Sequence, residues 1–252
     1  MGSLSLYDRV KFLVARKIIS VKNIVMKERN KINLDELGGT MYFMSDLHLG
    51  HKNVIAYDHR PFETLEEMDN FILGELSKIG PNDIVVDLGD MFWDMKSPRC
   101  REILESINTR RLYKCVGNHD KDTYYFGIQA TLDDCFIKVS DILDFRITYK
   151  GKDYKISCCH YPILDWNHKF RGSLMIHGHT HGTLDEFNNS KPDLRIDIGY
   201  NSEITKQYGS FLLPFQVILD RMYEKTGGME FFDWAEKMYR KKEECETTNG
   251  IE

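Results

Sequence analysis

Disulfide scaffolds, membrane spans and a basic nucleic-acid footprint are all missing from this sequence. Six cysteines occur in 252 residues, none in a C-x-x-C pair, and Cys158 and Cys159 are adjacent within an apolar run. They read as small buried side chains rather than as a disulfide framework. No apolar run is long enough to cross a bilayer, and the first residues lack the apolar segment and small-residue cleavage site of a signal peptide. A cytoplasmic location is the expectation. The formal net charge of -5 supplies no general attraction for nucleic acid. Internal repeats and low-complexity linkers are also absent.

What the chain does contain is a series of short polar blocks, each following an apolar run. Asp46-Leu47-His48 follows Met41-Tyr42-Phe43-Met44, Gly89-Asp90 follows Ile84-Val85-Val86, and Gly117-Asn118-His119-Asp120 follows the run 112–116. His160 follows 154–159, and Gly178-His179-Thr180-His181 follows Leu174-Met175-Ile176. Runs of this length and composition read as strands. Polar side chains at strand ends converge on one edge of a sheet, and Gly89, Gly117 and Gly178 are expected to let the backbone turn sharply there. Carboxylate, imidazole and amide groups suit divalent Mn, Fe, Co, Ni or Zn, and the absence of thiolate from the blocks speaks against a purely structural zinc site.

In order, the blocks spell Asp-x-His, Gly-Asp, Gly-Asn-His-Asp, His, Gly-His-x-His, and over about residues 40 to 201 the chain resembles the calcineurin-like metallophosphoesterases. The flanks Ser45 with Leu49-Gly50-His51-Lys52-Asn53, Met91-Phe92-Trp93, and Tyr161-Pro162 with Trp166 are most similar to the small prokaryotic and phage-type members. The resemblance implies an α/β fold, a four-layer α-β-β-α sandwich of two mixed β-sheets flanked by helices (the metallo-dependent phosphatase fold), with added N- and C-terminal helices. It further implies two divalent transition-metal ions (Mn, Fe, Zn or Ni, with Mn favoured). Asp46, His48 and His181 would hold one, Asn118, His160 and His179 the other, and Asp90 would bridge. A bridging carboxylate screens the repulsion between cations about 3.5–4 Å apart, and a water shared between them is acidified toward neutrality, so the implied reaction is phosphoester hydrolysis by an activated hydroxide. Neutral Asn118 keeps the ligand charge low and the metals electron-poor.

His119, next to the ligand Asn118, is the candidate general acid for the leaving group. In the serine/threonine phosphatases an aspartate of an extended Gly-Asp-x-x-Asp motif orients the equivalent imidazole. Here Trp93 stands at that position, leaving Asp94 and Asp120 as substitutes. His51 and His59 read as surface or loop histidines, and His177 as a side chain packed under the site. Asp87 is expected to face away from the metals. Phe92-Trp93 either walls the substrate pocket or packs the loop beneath it, and Arg60, Lys52 and Arg171 are read as solvated.

Around this core, 64–79 reads as a helix with Thr64 as N-cap, and 97–108 as another. Residues 136–149 and 153–159 read as a hairpin joined by Lys150-Gly151-Lys152. Four segments are expected: an N-terminal basic amphipathic helical extension (1–39), the phosphoesterase core (40–213), C-terminal helices split by Gly227-Gly228 (214–241), and an unstructured polar tail (242–252). The basic extension suits packing on the core or on a second copy, or docking on an anionic surface. Three functions fit: hydrolysis of a small nucleotide-type phosphate ester, a metal-dependent nuclease on DNA or RNA, and a non-catalytic binding or scaffold protein. The last normally requires lost ligands, and none is missing.

Overall fold

The computed structural model describes residues 31–94, 98–120 and 135–248, with side chains as far as residue 239. The basic segment 1–30 and the end of the chain after residue 248 lie outside the described residues. Two five-stranded sheets face each other. In the first, β2 (Met41–Met44), β3 (Ile84–Asp87), β4 (Leu112–Cys115) and β5 (Lys138–Ser140) run parallel, and β10 (Leu213–Pro214) adds antiparallel to β2. In the second, β1 (Lys31–Asn33), β6 (Ile142–Tyr149), β7 (Lys152–Cys159), β8 (Leu174–His177) and β9 (Arg195–Asp197) lie side by side in that order. Both sheets are mixed, as expected.

Side-chain alternation explains the layers. Met41 and Phe43 of β2 and Ile84 and Val86 of β3 join Phe145, Ile156, Cys158 and Ile176 of the second sheet in one buried core. Met44, Val85 and Leu112 point the other way, into a second core. That core is completed by helix α3 (Leu65–Leu76), through Met68, Ile72 and Leu76, and by helix α4 (Pro98–Ser106), through Cys100, Ile103 and Leu104. Thr64 and Glu67 close a full capping box at the start of α3, which fixes where that helix begins. Cys158 and Cys159 are buried and unpaired.

The hairpin is present between β6 and β7, in register from Ile142↔Cys159 to Tyr149↔Lys152. Its turn uses positive φ at both Lys150 and Gly151, and the Asp35 carboxylate accepts from both of their N–H groups at 2.7 and 2.8 Å. The stretch 136–149 is not one strand, however. β5 pairs with β4 in the first sheet, and only from Ile142 does the chain enter the second. Lys31–Asn33 pairs parallel to β6, so the sheet begins before residue 40. The two C-terminal helices, α7 (Phe215–Thr226) and α8 (Phe231–Thr248), are separated at Gly227 and Gly228, both with positive φ. α7 buries Phe215, Ile218, Leu219 and Met222 in the inter-sheet core, while Trp234 of α8 donates to Pro192 O at 2.9 Å. α7 thus packs against β2 and β10 of the first sheet as well as Tyr149 and Tyr154 of the second, and α8 lies against the loops of the second sheet. α8 continues past Lys242 to Thr248, where the sequence suggested an unstructured tail; its Lys and Glu residues are good helix formers. No helix among the described residues is long and apolar enough to cross a membrane.

Candidate metal centre

Every polar block lies just beyond the carboxyl end of its strand: Asp46 after β2, Asp90 after β3, Asn118 after β4, His160 after β7 and His179 after β8. Backbone bonds continue the parallel pairing into the loops, from Asp46 N to Gly89 O at 3.0 Å, His48 N to Asp90 O at 3.0 Å and Leu49 N to Met91 O at 2.9 Å. Gly178 N to His160 O, at 3.0 Å, joins the loops after β8 and β7. Asp46, His48, Asp90, His179 and His181 all have positive φ, between 49° and 69°. A left-handed conformation costs a non-glycine residue about 1–3 kcal/mol, and clustering of such residues marks sites where geometry is imposed by the surroundings.

The sharp turns therefore fall on the polar residues themselves. Of the three glycines expected to make them, only Gly89 has positive φ. Gly117 and Gly178 serve a different need: a Cβ at Gly117 would collide with the Asp90 carboxylate, and one at Gly178 with Ser45 Oγ and Asp46 Oδ2.

The side chains converge. Donor atoms of Asp46, His48 and His181 lie within 4.8 Å of one another, as do those of His48, Asp90 and His119, and those of Asp46, Asp90 and His160. Shared members make these one cluster, with Asp90 near its middle. On one side His48 Nε2 and His181 Nε2 are 3.3 Å apart, and His181 Nε2 is 3.5 Å from Asp46 Oδ1. On the other, Asn118 Oδ1 is 3.0 Å from His160 Nε2 and 2.9 Å from His179 Nδ1, and His160 Nε2 is 3.4 Å from Asp90 Oδ2. Asp46 Oδ1 is buried with no hydrogen-bond partner among the described residues. All seven side chains expected to bind metal are thus drawn together, in two groups on either side of Asp90.

Beneath them the backbone is braced by buried ions. Lys114, fully buried, bridges Asp87 at 2.6 Å and Asp120 at 2.9 Å. Asp120 in turn accepts from Asp90 N at 3.0 Å and Gly117 N at 2.9 Å. Asp87 does face away from the cluster, and Asp120 is occupied in holding it. No carboxylate among the described residues hydrogen-bonds the His119 ring: its Nε2 stands 3.9 Å from Asp90 Oδ2, and Trp93 lies against it, 4.5 Å between ring centroids. Asp120 therefore does not take over the orienting task.

Charge within the cluster is balanced by protons. Burial, with the charges of Asp120 and Asp46 nearby, pushes the Asp90 carboxyl up to about 8. Burial lowers His48 to about 3 and His160 to about 4, so both are neutral imidazoles. At His181 burial is outweighed by the nearby Asp46 carboxylate and by the hydrogen-bonded carboxylate of Asp58, which raise it to about 10. Burial also works against ionised Asp46, but His181 and the neighbouring imidazoles hold its carboxyl well below the usual range. Two acids, four imidazoles and the Asn118 amide form a donor set that suits a divalent cation.

Several residues stand elsewhere than the sequence suggested. His51 is buried, not a surface side chain: its ring stacks on Trp93 at 3.6 Å and 9°. Its spacing of three from His48 was the available signal. Arg60 is buried rather than solvated, donating to Leu47 O and Asp46 O, both at 2.8 Å. Asp58, which receives His181 Nδ1 at 2.7 Å, was not anticipated at all. Nothing in a charged pair two residues apart foretells such burial. His59, Lys52 and Arg171 are exposed. His177 is structural, with Nδ1 2.9 Å from Gly178 O and Nε2 3.1 Å from Asn188 Nδ2. Phe92 packs inside, while Trp93 is 43% exposed at the rim.

Comparison with known proteins agrees with this arrangement. The sequence pattern of the family described as calcineurin-like phosphoesterase matches residues 39–192, more than half of the chain and all of the converging blocks. The chain belongs to the calcineurin-like phosphoesterase family. Within this phosphoesterase family it is 33% identical over 150 residues to the uncharacterized protein MJ1445 of Methanocaldococcus jannaschii, a match covering 58% of this chain and 73% of that protein. The crystal structure of AQ665, a protein of unknown function from Aquifex aeolicus, superposes with a TM-score of 0.51 at 23% identity. That likeness covers 73% of this phosphoesterase chain and 99% of the other, and speaks to fold alone.

Proposed function

We propose that this chain is a metal-dependent phosphoesterase that hydrolyses a phosphodiester or phosphomonoester of a small, nucleotide-type molecule. Asp46, His48 and His181 would hold one divalent cation, Asn118, His160 and His179 a second, with Asp90 between them. The observation carrying this reading is the gathering of those seven side chains in two groups that have Asp90 in common. Divalent cations, when bound, acidify water and neutralise charge on the phosphoryl oxygens. A donor set of oxygen and nitrogen with no thiolate suits Mn, Fe, Zn or Ni, and Mn²⁺ is the ion favoured here.

The chain's own residues supply the rest. His119 would donate a proton to the departing oxygen. Burial, the largest cause, lowers its pKa below the ordinary imidazole value. Trp93, itself partly exposed, lies against that imidazole. A cleft of about 460 Å³ opens beside His181, lined by Thr183, Asp185, Asn201, Glu203, Lys206 and Gln207. Its volume suits a small molecule. The test is turnover of bis-p-nitrophenyl phosphate, p-nitrophenyl phosphate, cyclic nucleotides and single-stranded nucleic acid, with Mn²⁺ and with chelator. Mn²⁺-stimulated cleavage of the small esters is expected. Cleavage of nucleic acid alone would replace the substrate reading with a nuclease, and no turnover of any substrate would leave a binding protein.

A further inference from the structure

Arg60 carries a guanidinium whose side chain is wholly shielded from solvent. Removing such a group from water costs several kcal/mol, roughly, and is recovered only if its donors are well met. Here they are. Nη1 donates to Leu47 O and Nη2 to Asp46 O, while Nε and Nη2 both reach Asp58 Oδ2, at 3.2 and 3.0 Å. The Tyr200 ring lies 4.0 Å from the guanidinium carbon. The same Asp58 oxygen accepts from His181 Nδ1 at 2.7 Å, and the Asp58 carbonyl is bound by the Asn201 side chain. One planar fork therefore grips the main chain that carries Asp46 and the carboxylate that orients His181. Only a guanidinium can do this, because the acceptors lie in several directions around one plane.

The device touches one half of the cluster only. With its Nδ1 committed to Asp58, His181 turns Nε2 toward Asp46 Oδ1 and His48 Nε2. His160, in the other half, is fixed separately, by Nδ1 on Leu88 O at 2.9 Å. We infer that Asp58 and Arg60 are positioning residues that lock Asp46 and His181 together as one unit and thereby set the affinity of one of the two cation positions. The inference rests on the metal centre proposed above. Carboxylate partners of metal-bound imidazoles fix the tautomer and raise ligand basicity.

The experiment is Mn²⁺ titration of the full chain by calorimetry, for wild type, Asp58→Ala, Asp58→Asn and Arg60→Lys, beside imidazole-region NMR of the metal-free proteins. Asp58→Ala is expected to weaken one Mn²⁺ by about 10- to 100-fold, the range for losing such a partner, while the other stays as tight as in wild type. Asp58→Asn keeps the shape and one acceptor and should lose less, at the same position. The hydrogen-bonded Nδ1–H signal of His181 should disappear in Asp58→Ala without any metal present. Equal weakening of both Mn²⁺, as general destabilisation would give, or unchanged affinity in the folded variants, overturns the inference. A wild type that takes up no Mn²⁺ refutes the metal centre itself, and the NMR arm then decides separately whether Asp58 fixes the His181 ring.

Discussion

Loading the centre should expel protons, and their number follows from the structure. The perturbation is addition of Mn²⁺ to metal-free protein at pH 7. A carboxyl at about 8 is protonated in about nine molecules of ten at that pH, and an imidazolium at about 10 in essentially all of them, so Asp90 and His181 together carry about two protons that must leave before their atoms face a cation. His48 and His160, lowered to about 3 and about 4, are already neutral and release none. Since the proton competes with the metal, affinity should rise with pH, with a combined slope of about two decades per pH unit below pH 8 and about one between pH 8 and 10. Calorimetry in buffers of differing ionisation enthalpy counts the protons directly. Asp90→Asn should weaken both Mn²⁺ together and lower the release to about one proton, that of His181. Affinity independent of pH between 6 and 8, or a proton count near zero, would refute the reasoning that protons stand in for cations here.

Three further outcomes are expected. His119→Ala should leave Mn²⁺ content intact but slow esters with poor leaving groups by about 10²- to 10⁴-fold while sparing aryl esters, and equal slowing of both classes would exclude it as proton donor. Gly117→Ala drives a Cβ into the Asp90 carboxylate and should cost metal affinity at both positions, read by elemental analysis of the folded variant; full retention would show that the loop yields. Asp185, which accepts from Glu203 N at 2.6 Å, has its carboxyl raised to about 6 by burial. The native state takes up that proton before the unfolded chain does as pH falls from 6 toward 4, so this group makes stability decline as pH rises across that window. Denaturant unfolding of Asp185→Asn should show a flatter profile there than wild type, and parallel profiles would contradict the assignment.

The strands and their sequels were legible because apolar runs ending in Asp, Asn or His carry both signals in a few adjacent letters. Thr64 announced the start of α3 in the same local way. What escaped was decided by contacts distant in sequence. Arg60 and Asp58 look like a solvated turn until the loop after β2 closes over them, and His51 looks exposed until Trp93 stacks on it. β5 reads as part of β6 because residues 136–149 are uniformly strand-like, and only pairing with β4 assigns Lys138–Ser140 to the other sheet. The glycines were read as turn-makers when close approach to Asp90 and Asp46 was the stronger demand at Gly117 and Gly178. The cleft beside His181 was the least legible feature, since it is assembled from Thr183, Asn201 and Lys206, residues with no motif of their own.

The most direct test of the paired-cation centre is anomalous diffraction at the manganese edge from crystals equilibrated with Mn²⁺. Two peaks are expected, about 3.5–4 Å apart with the Asp90 carboxylate between them. A single peak, or peaks remote from Asp90, would contradict the account.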